Sequence, residues 1–205
     1  MTPDSPVIIE LAINGVTQPA RNPHVPVTVE AIAADALDCL RAGAAIVHSH
    51  APLSDFNLPA EQAAGAYLAS YRAVLAQRPD ALLYPTIGGG ATMTERLRHI
   101  EILAAAGAIR IGLLDPGCTL LGWAEADGSP SPHSFAYVNT IADMEAALEQ
   151  GARLGLGLSI AIYEPGFLRN ALTYWRLGRI PRGSMVKFYF GGEAGYFGGG
   201  SGGSF

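Results

Sequence analysis

Six short apolar runs alternate along the chain with stretches of helical period, and this alternation limits the fold more than any other feature. The runs are Val7 to Ile13, Ala44 to His50, Ala81 to Ile87, Ala108 to Leu114, Leu158 to Tyr163 and Met185 to Phe190. Each has the length of a strand and is nearly continuous in its hydrophobicity, as strands buried on both faces are. Between the runs, apolar residues recur at three- and four-residue spacing. Thr28 is placed to cap a first helix, with Glu30 in the opening turn, Val29, Ile32, Ala33, Ala36, Leu37 and Leu40 at helical spacing, and Gly43 to stop it. Pro59 opens a second, with Ala63, Ala66, Tyr67, Ser70, Val74 and Leu75 on its buried side. A third starts at Thr94 and Glu95 and carries Leu97, Ile100, Leu103 and Ala104 as far as Gly107. The remaining two cover Ile141 to Leu154, with Ile141, Met144, Leu148 and Leu154 as the apolar set, and Phe167 to Leu177. Strand followed by helix, repeated in this way, builds a parallel sheet covered by helices.

Two architectures offer that arrangement. An open doubly wound sheet carries a glycine-rich phosphate loop after its first strand, and Asn14-Gly15-Val16-Thr17 is not that fingerprint. A TIM-type (β/α)8 barrel fits better, because its chemistry sits at the carboxyl ends of several strands. Asn14, His48 and His50, Thr86 with Gly88 and Gly89, Asp115 and Glu164 all fall at such ends. A full barrel has eight units and about 250 residues, whereas this chain has 205 residues and about six units. The expectation is therefore a single barrel domain over residues 1–190, apparently lacking its last two strand-helix units. Residues 191–205 form a glycine-rich loop or a truncated end, with little to pack. The alternative is a six-unit partial barrel whose open sheet edge must be covered by a partner.

Composition narrows the function classes. Hydrophobic residues make up 49% and charged residues 15%, which suits a sizeable core. The net charge of -5 and the scattered Lys and Arg argue against nucleic acid as a partner and leave small molecules. Cys39 and Cys118 are too few for a disulfide framework and point to a reducing compartment. The amino terminus lacks the charge and apolar core of a signal peptide, and no apolar run reaches the roughly 18 residues that cross a bilayer. A cytoplasmic protein with no membrane partner is expected.

The run ending in His48-Ser49-His50 is the most chemically specific. Side chains alternate along a strand, so His48 and His50 project from one face at its carboxyl end. Two neutral imidazoles side by side can hold one divalent metal, with zinc the preferred ion. Glu10, Ala12 and Asn14 share a face of the first strand, and an acid inside a buried strand needs a partner, so Glu10 is either paired structurally, the favoured reading, or lines a site. Gln18 to Val27 carries Pro19, Pro23 and Pro26 and is an extended loop. Gly88-Gly89-Gly90 lets the backbone approach a ligand closely or take positive φ. Glu164 and Asp115 are the candidate bases, although Glu164 before Pro165-Gly166 equally suits a helix cap and Asp115 before Pro116-Gly117 suits a turn. Asp127-Gly128-Ser129-Pro130 marks a turn in a polar loop, and His24, His99 and His133 have no companion at metal spacing and are read as solvated or structural.

With these residues in view, the chain resembles the β-keto acid cleavage enzymes, the family that includes 3-keto-5-aminohexanoate cleavage protein. The resemblance rests on Val7-Ile8-Ile9 with Ala12-Ile13-Asn14-Gly15, Val25-Pro26-Val27-Thr28 and Ala42 through His50. Thr86-Ile87-Gly88-Gly89, Tyr163 through Leu168 and Phe190-Gly191-Gly192 extend it over nearly the whole chain. It implies a zinc-dependent barrel, usually a homo-oligomer, that cleaves a β-keto acid with acetyl-CoA to give acetoacetate and a new CoA thioester. One zinc per chain on His48 and His50 is implied, with Thr86 as the hydroxyl that contacts substrate and Thr17 beside it. From their own places at strand ends, Asn14, Gly88 and Gly89 are expected around the substrate and Glu164 in catalysis. Thr17 stands where some members have an acid, and Ala51-Pro52 where an arginine is common. The family's third ligand, a glutamate, its neighbouring aspartate base and an arginine are implied beyond residue 205. Two other readings stay open: another metal-dependent carbon-carbon lyase of aldolase type on the same barrel, and a catalytically silent fragment.

Overall fold

Six parallel strands with helical connections recur in a computed structural model, which describes residues 7–52, 58–122, 125, 127, 129 and 131–189. They form two compact units, the first of Met1–Ala91 and Glu95–Arg110, the second of Thr92–Thr94 and Ile111–Phe205. The fold class is thus α/β, as expected. No closed ring of strands is present among the described residues: their parallel strands form two three-stranded sheets.

In the first unit β1 (Glu10–Ala12), β2 (Ile46–Ser49) and β3 (Leu82–Pro85) pair in sequence order. They are joined by α1 (Val29–Arg41) and α2 (Ala60–Gln77), which pack against each other. The Thr28 hydroxyl accepts from Ala31 N, and Gly43, at φ 109°, takes the chain out of α1. One face of β2 and β3 is dry, with Val47 and Leu83 each 1% exposed, and Ile32, Leu40, Tyr67 and Val74 of the two helices are buried as well. The inner stripe of α2 is rotated from the expectation: Ala64 and Tyr71 are buried, while Ala63, Ala66 and Leu75 are half-buried. β1 also departs from it. Val7, Ile8, Ile9 and Leu11 are exposed, because β1 is the edge strand of its sheet and pairs only with β2 among the described strands.

The expected single helix after β3 is two pieces, α3 (Met93–Arg96) and α4 (Arg98–Ala105). The carbonyl of Arg96 would accept from Ile100 N in a continuous helix. It accepts instead from Gly88 N at 2.9 Å, and Ile100 N turns to Leu97 O at 3.0 Å. A Cβ on residue 88 would lie 3.0 Å from that carbonyl and 3.2 Å from His99 Nδ1. The close approach that Gly88 permits is therefore to its own following helix.

The second unit orders β4 (Ile111–Leu114), β7 (Gly157–Ile162) and β8 (Met185–Phe188) in one parallel sheet. β7 is buried throughout, and α5 (Ile141–Leu154) and α6 (Pro165–Arg176) pack on it. Thr140 and Asp143 form a reciprocal capping box at the start of α5. Ile141, expected inside, is 59% exposed, since the first residue of that helix precedes the buried stripe. β8 is another exposed edge, with Val186 and Phe188 about half exposed. The polar loop after β4 holds an unexpected antiparallel hairpin, β5 (Thr119–Leu121) with β6 (Phe135–Tyr137). Asp127 Oδ1 accepts from Ser129 N and Oγ in the turn expected there. The glycine-rich 191–205 segment, like Phe190-Gly191-Gly192, lies outside the described residues. No described helix is long and apolar enough to cross a membrane.

Two glycines test this packing with opposite signs. Gly117 faces the Phe167 ring, where a Cβ would sit 2.5 Å from a ring carbon, whereas Gly65 in α2 has nothing within 4 Å. We predict that Gly117→Ala lowers unfolding free energy by about 1–3 kcal/mol and that Gly65→Ala raises it by up to about 1 kcal/mol. Urea denaturation reads both, and equal changes in the two variants would contradict the packing.

Candidate metal centre on the first unit

Register brings the candidate residues of the first unit to one face. Ala12 pairs with His48, and His48 with Tyr84, so these three form one row across the sheet. Glu10, Ile46 and Leu82 form the row before it. His50 follows β2 by one residue and keeps the alternation: its ring lies 5.4 Å from that of His48, with the planes at 80°. The intervening Ser49 points the other way and shares a hydrogen bond with the Tyr71 hydroxyl of α2 at 3.0 Å.

Both imidazoles suit metal chemistry. His50 is 6% exposed, and burial pushes its pKa down to about 4, so its ring is neutral near pH 7. The Nδ1 atoms of both rings are buried. A neutral ring nitrogen is the form that ligates a transition metal. Among the described residues no group of three or more His, Cys, Asp or Glu gathers as a metal cluster. The donor chemistry of the pair fits a divalent metal, for which the two rings would be two ligands of a larger set.

Asn14 holds His50 by its backbone. His50 N donates to Asn14 Oδ1 at 2.7 Å, and Asn14 Nδ2 donates to His50 O at 3.4 Å and to Pro26 O at 3.0 Å. The carboxamide continues the β1–β2 pairing one step past the bond from Ile13 N to His48 O, and it ties in the proline-bearing loop. Expected beside the substrate, Asn14 acts in the structure as a clamp. Thr17 lies half-buried in the loop after β1.

Thr86 is locked on both sides of its peptide. Its N–H donates to the Tyr67 hydroxyl at 3.3 Å, and its carbonyl meets His99 Nε2 at 2.8 Å. Tyr67 and His99 stack, with ring centroids 5.9 Å apart. Burial of Tyr67 pushes its phenol pKa far up, so it stays protonated. His99 is 2% exposed and structural. Its isolation in the sequence hid a specific task, which is to hold the strand end that carries Thr86; a histidine on an otherwise apolar helical stripe was the available signal. Gly88, half-buried, and Gly89, exposed, follow.

The remaining candidates belong to the second unit. Glu164 is the N-cap of α6, and its Oε1 accepts from Phe167 N at 3.2 Å. Asp115 accepts a hydrogen bond from the Tyr137 hydroxyl. His24 and His133 are exposed.

Comparison with known proteins adds the family. The model of the family described as beta-keto acid cleavage enzyme matches residues 6–201. The chain belongs to the beta-keto acid cleavage enzyme family. The 3-keto-5-aminohexanoate cleavage enzyme of Fusobacterium nucleatum subsp. nucleatum is 29% identical over 189 residues, a match covering 90% of this chain and 63% of that relative. The chain thus spans less than two thirds of the curated relative's length. A solved structure, the ternary complex of ObcA with C4-CoA adduct and oxalate, superposes with a TM-score of 0.61 at 23% identity. The superposition covers 82% of this chain and 37% of that one, and it shows a shared fold.

Burial lowers the pKa of His99 below its usual 6.5, an effect partly offset by the hydrogen bond to Thr86. The unfolded chain therefore binds more protons at this site than the folded one between the folded value and 6.5. The stability contributed is complete above about pH 6.5 and is lost as pH falls through the folded pKa. We predict that the urea midpoint drops from pH 7 to pH 5 and drops less in His99→Gln. The difference in slope is bounded by about 1.4 kcal/mol per pH unit. Parallel profiles for the two proteins would show that His99 is not protonated differently on folding.

Proposed function

We propose that this chain carries part of the active site of a zinc-dependent enzyme that cleaves a β-keto acid with acetyl-CoA. The observation that supports this reading best is the adjacency of His48 and His50, two rings 5.4 Å apart at a strand end. Family membership supplies the reaction class. The six parallel strands and the superposed fold support a barrel of TIM type, of which residues 1–190 supply about six units in one domain. A cytoplasmic location and association into homo-oligomers belong to the same reading.

In this scheme His48 and His50 hold one zinc per chain, and further protein ligands come from outside the described residues. When bound, zinc supplies Lewis-acid stabilisation for the carbonyl oxygen on which charge builds as the carbon-carbon bond breaks. The chain's own residues do the positioning. Asn14 keeps His50 in register with β1. The Tyr67 and His99 locks aim Thr86, whose hydroxyl contacts the substrate. Gly88 and Gly89 line the approach, and Thr17, in the loop after β1, sets preference for the substrate side chain. Glu164 enters as the cap of α6. In balance, the acyl group leaves the carbon next to the carboxylate and joins CoA sulfur. The acetyl group takes its place, giving acetoacetate.

The experiment is metal analysis with an assay of β-keto acid and acetyl-CoA. We predict about one zinc per wild-type chain, and its loss in His48→Ala and His50→Ala with turnover falling about 10²-fold or more. Turnover without CoA would favour a lyase of aldolase type instead. Zinc retained in both variants would exclude the pair as ligands.

A further inference from the structure

His48 has a second ring against it. Tyr84, its register partner on β3, is fully buried, and its ring centroid lies 4.6 Å from the imidazole with the planes at 34°. His48 thus sits between the phenol ring and His50. The Tyr84 hydroxyl donates to Oε1 of Glu10, on β1. β1 and β3 are the two edges of this sheet and β2 lies between them, so the phenol crosses the face of β2 to reach its acceptor. Glu10 was expected to need a partner inside the strand, and Tyr84 is one.

Packing alone does not account for this choice of residues. A phenol and a carboxylate lose water on burial, and apolar residues of the same volume commonly stabilise a core as well or better. What the polar pair adds is direction: a charge-assisted hydrogen bond is stronger and more demanding in geometry than a contact between hydrocarbons. It fixes the torsion of the Tyr84 ring, and that ring bounds one side of His48. The carboxylate also pushes electron density into the phenol. An electron-rich face favours a cationic neighbour, and an imidazole carrying a metal is more cationic than a neutral one.

We propose that Tyr84 is a positioning residue for His48 and that Glu10 acts through it. Neither touches substrate in this scheme. The inference rests on the reading of His48 and His50 as metal ligands, and it assigns Glu10 and Tyr84 a joint task in series. Removing either partner should cost what removing both costs, because the chain of contacts is broken in each case.

The test uses Tyr84→Phe, Glu10→Gln and the double variant, with thermal melts to establish that each is folded. Tyr84→Phe keeps the ring volume, and Glu10→Met serves where Gln unfolds the chain. Zinc affinity is measured by competition with a chromophoric chelator, and the cobalt-substituted proteins give a visible absorption band that reports ligand geometry. The His48 ring is followed by NMR in metal-free protein carrying ¹³C-labelled histidine. We expect each single variant to bind zinc about 10-fold more weakly, the double variant no more weakly than the singles, the cobalt band to shift, and the metal-free His48 signals to broaden. Zinc affinity and ring signals equal to wild type would overturn the proposal. Additive losses in the double variant would assign the two residues separate tasks and overturn the series. If wild-type protein takes up no zinc, the metal reading fails on its own, and the metal-free ring signals still decide whether Tyr84 and Glu10 position His48.

Discussion

The parallel register of β1, β2 and β3 is the constraint on which the candidate site depends. It sets His48 opposite Ala12 on one side and Tyr84 on the other, and it fixes which face of β2 both histidines share. A slip of one residue would turn His48 toward the dry face beneath α1 and α2, where Val47 now sits at 1% exposure. The hydrophobic pattern guards against that slip, because it would carry Val47 and Leu83 out of the core. The geometry of the histidine pair is thus inherited from burial on the opposite face of the same strands.

Hydrogen bonds then stiffen what the register positions. Asn14 extends the β1–β2 ladder with its side chain where the backbone ladder ends, and so fixes His50. Tyr67 and His99, from α2 and α4, hold the peptide of Thr86. Gly88 takes the Arg96 carbonyl, at the cost of one helical hydrogen bond. Buried groups around a site usually act in this way: each polar atom is satisfied, and each bond limits the freedom of a strand end.

Much of the fold was legible in the sequence. Six apolar runs gave six parallel strands, and Thr28, Gly43 and the span Ile141–Leu154 were placed as the structure has them. The pairing of the two histidines followed from strand alternation alone. What escaped has physical causes. Edge strands look the same as central ones in a hydrophobic pattern, so the exposure of Ile9, Leu11, Val186 and Phe188 was invisible. The break at Leu97 depends on a hydrogen bond from Gly88, nine residues earlier, and periodicity carries no trace of it. The β5–β6 hairpin is three residues per strand with polar surroundings, below what alternation can signal. Asn14 and Glu10 were singled out for their types, but their acceptors and donors, Pro26, His50 and Tyr84, come from other segments and became visible only once the strands were paired.

The central claim is that His48 and His50 ligate one metal together, and X-ray absorption at the zinc edge of the purified protein tests it most directly. The account predicts a first shell with nitrogen at about 2.0–2.1 Å and the outer-shell scattering of two imidazole rings, reduced to one ring in either histidine variant. A spectrum of zinc surrounded by oxygen alone, with no imidazole scattering, would contradict it.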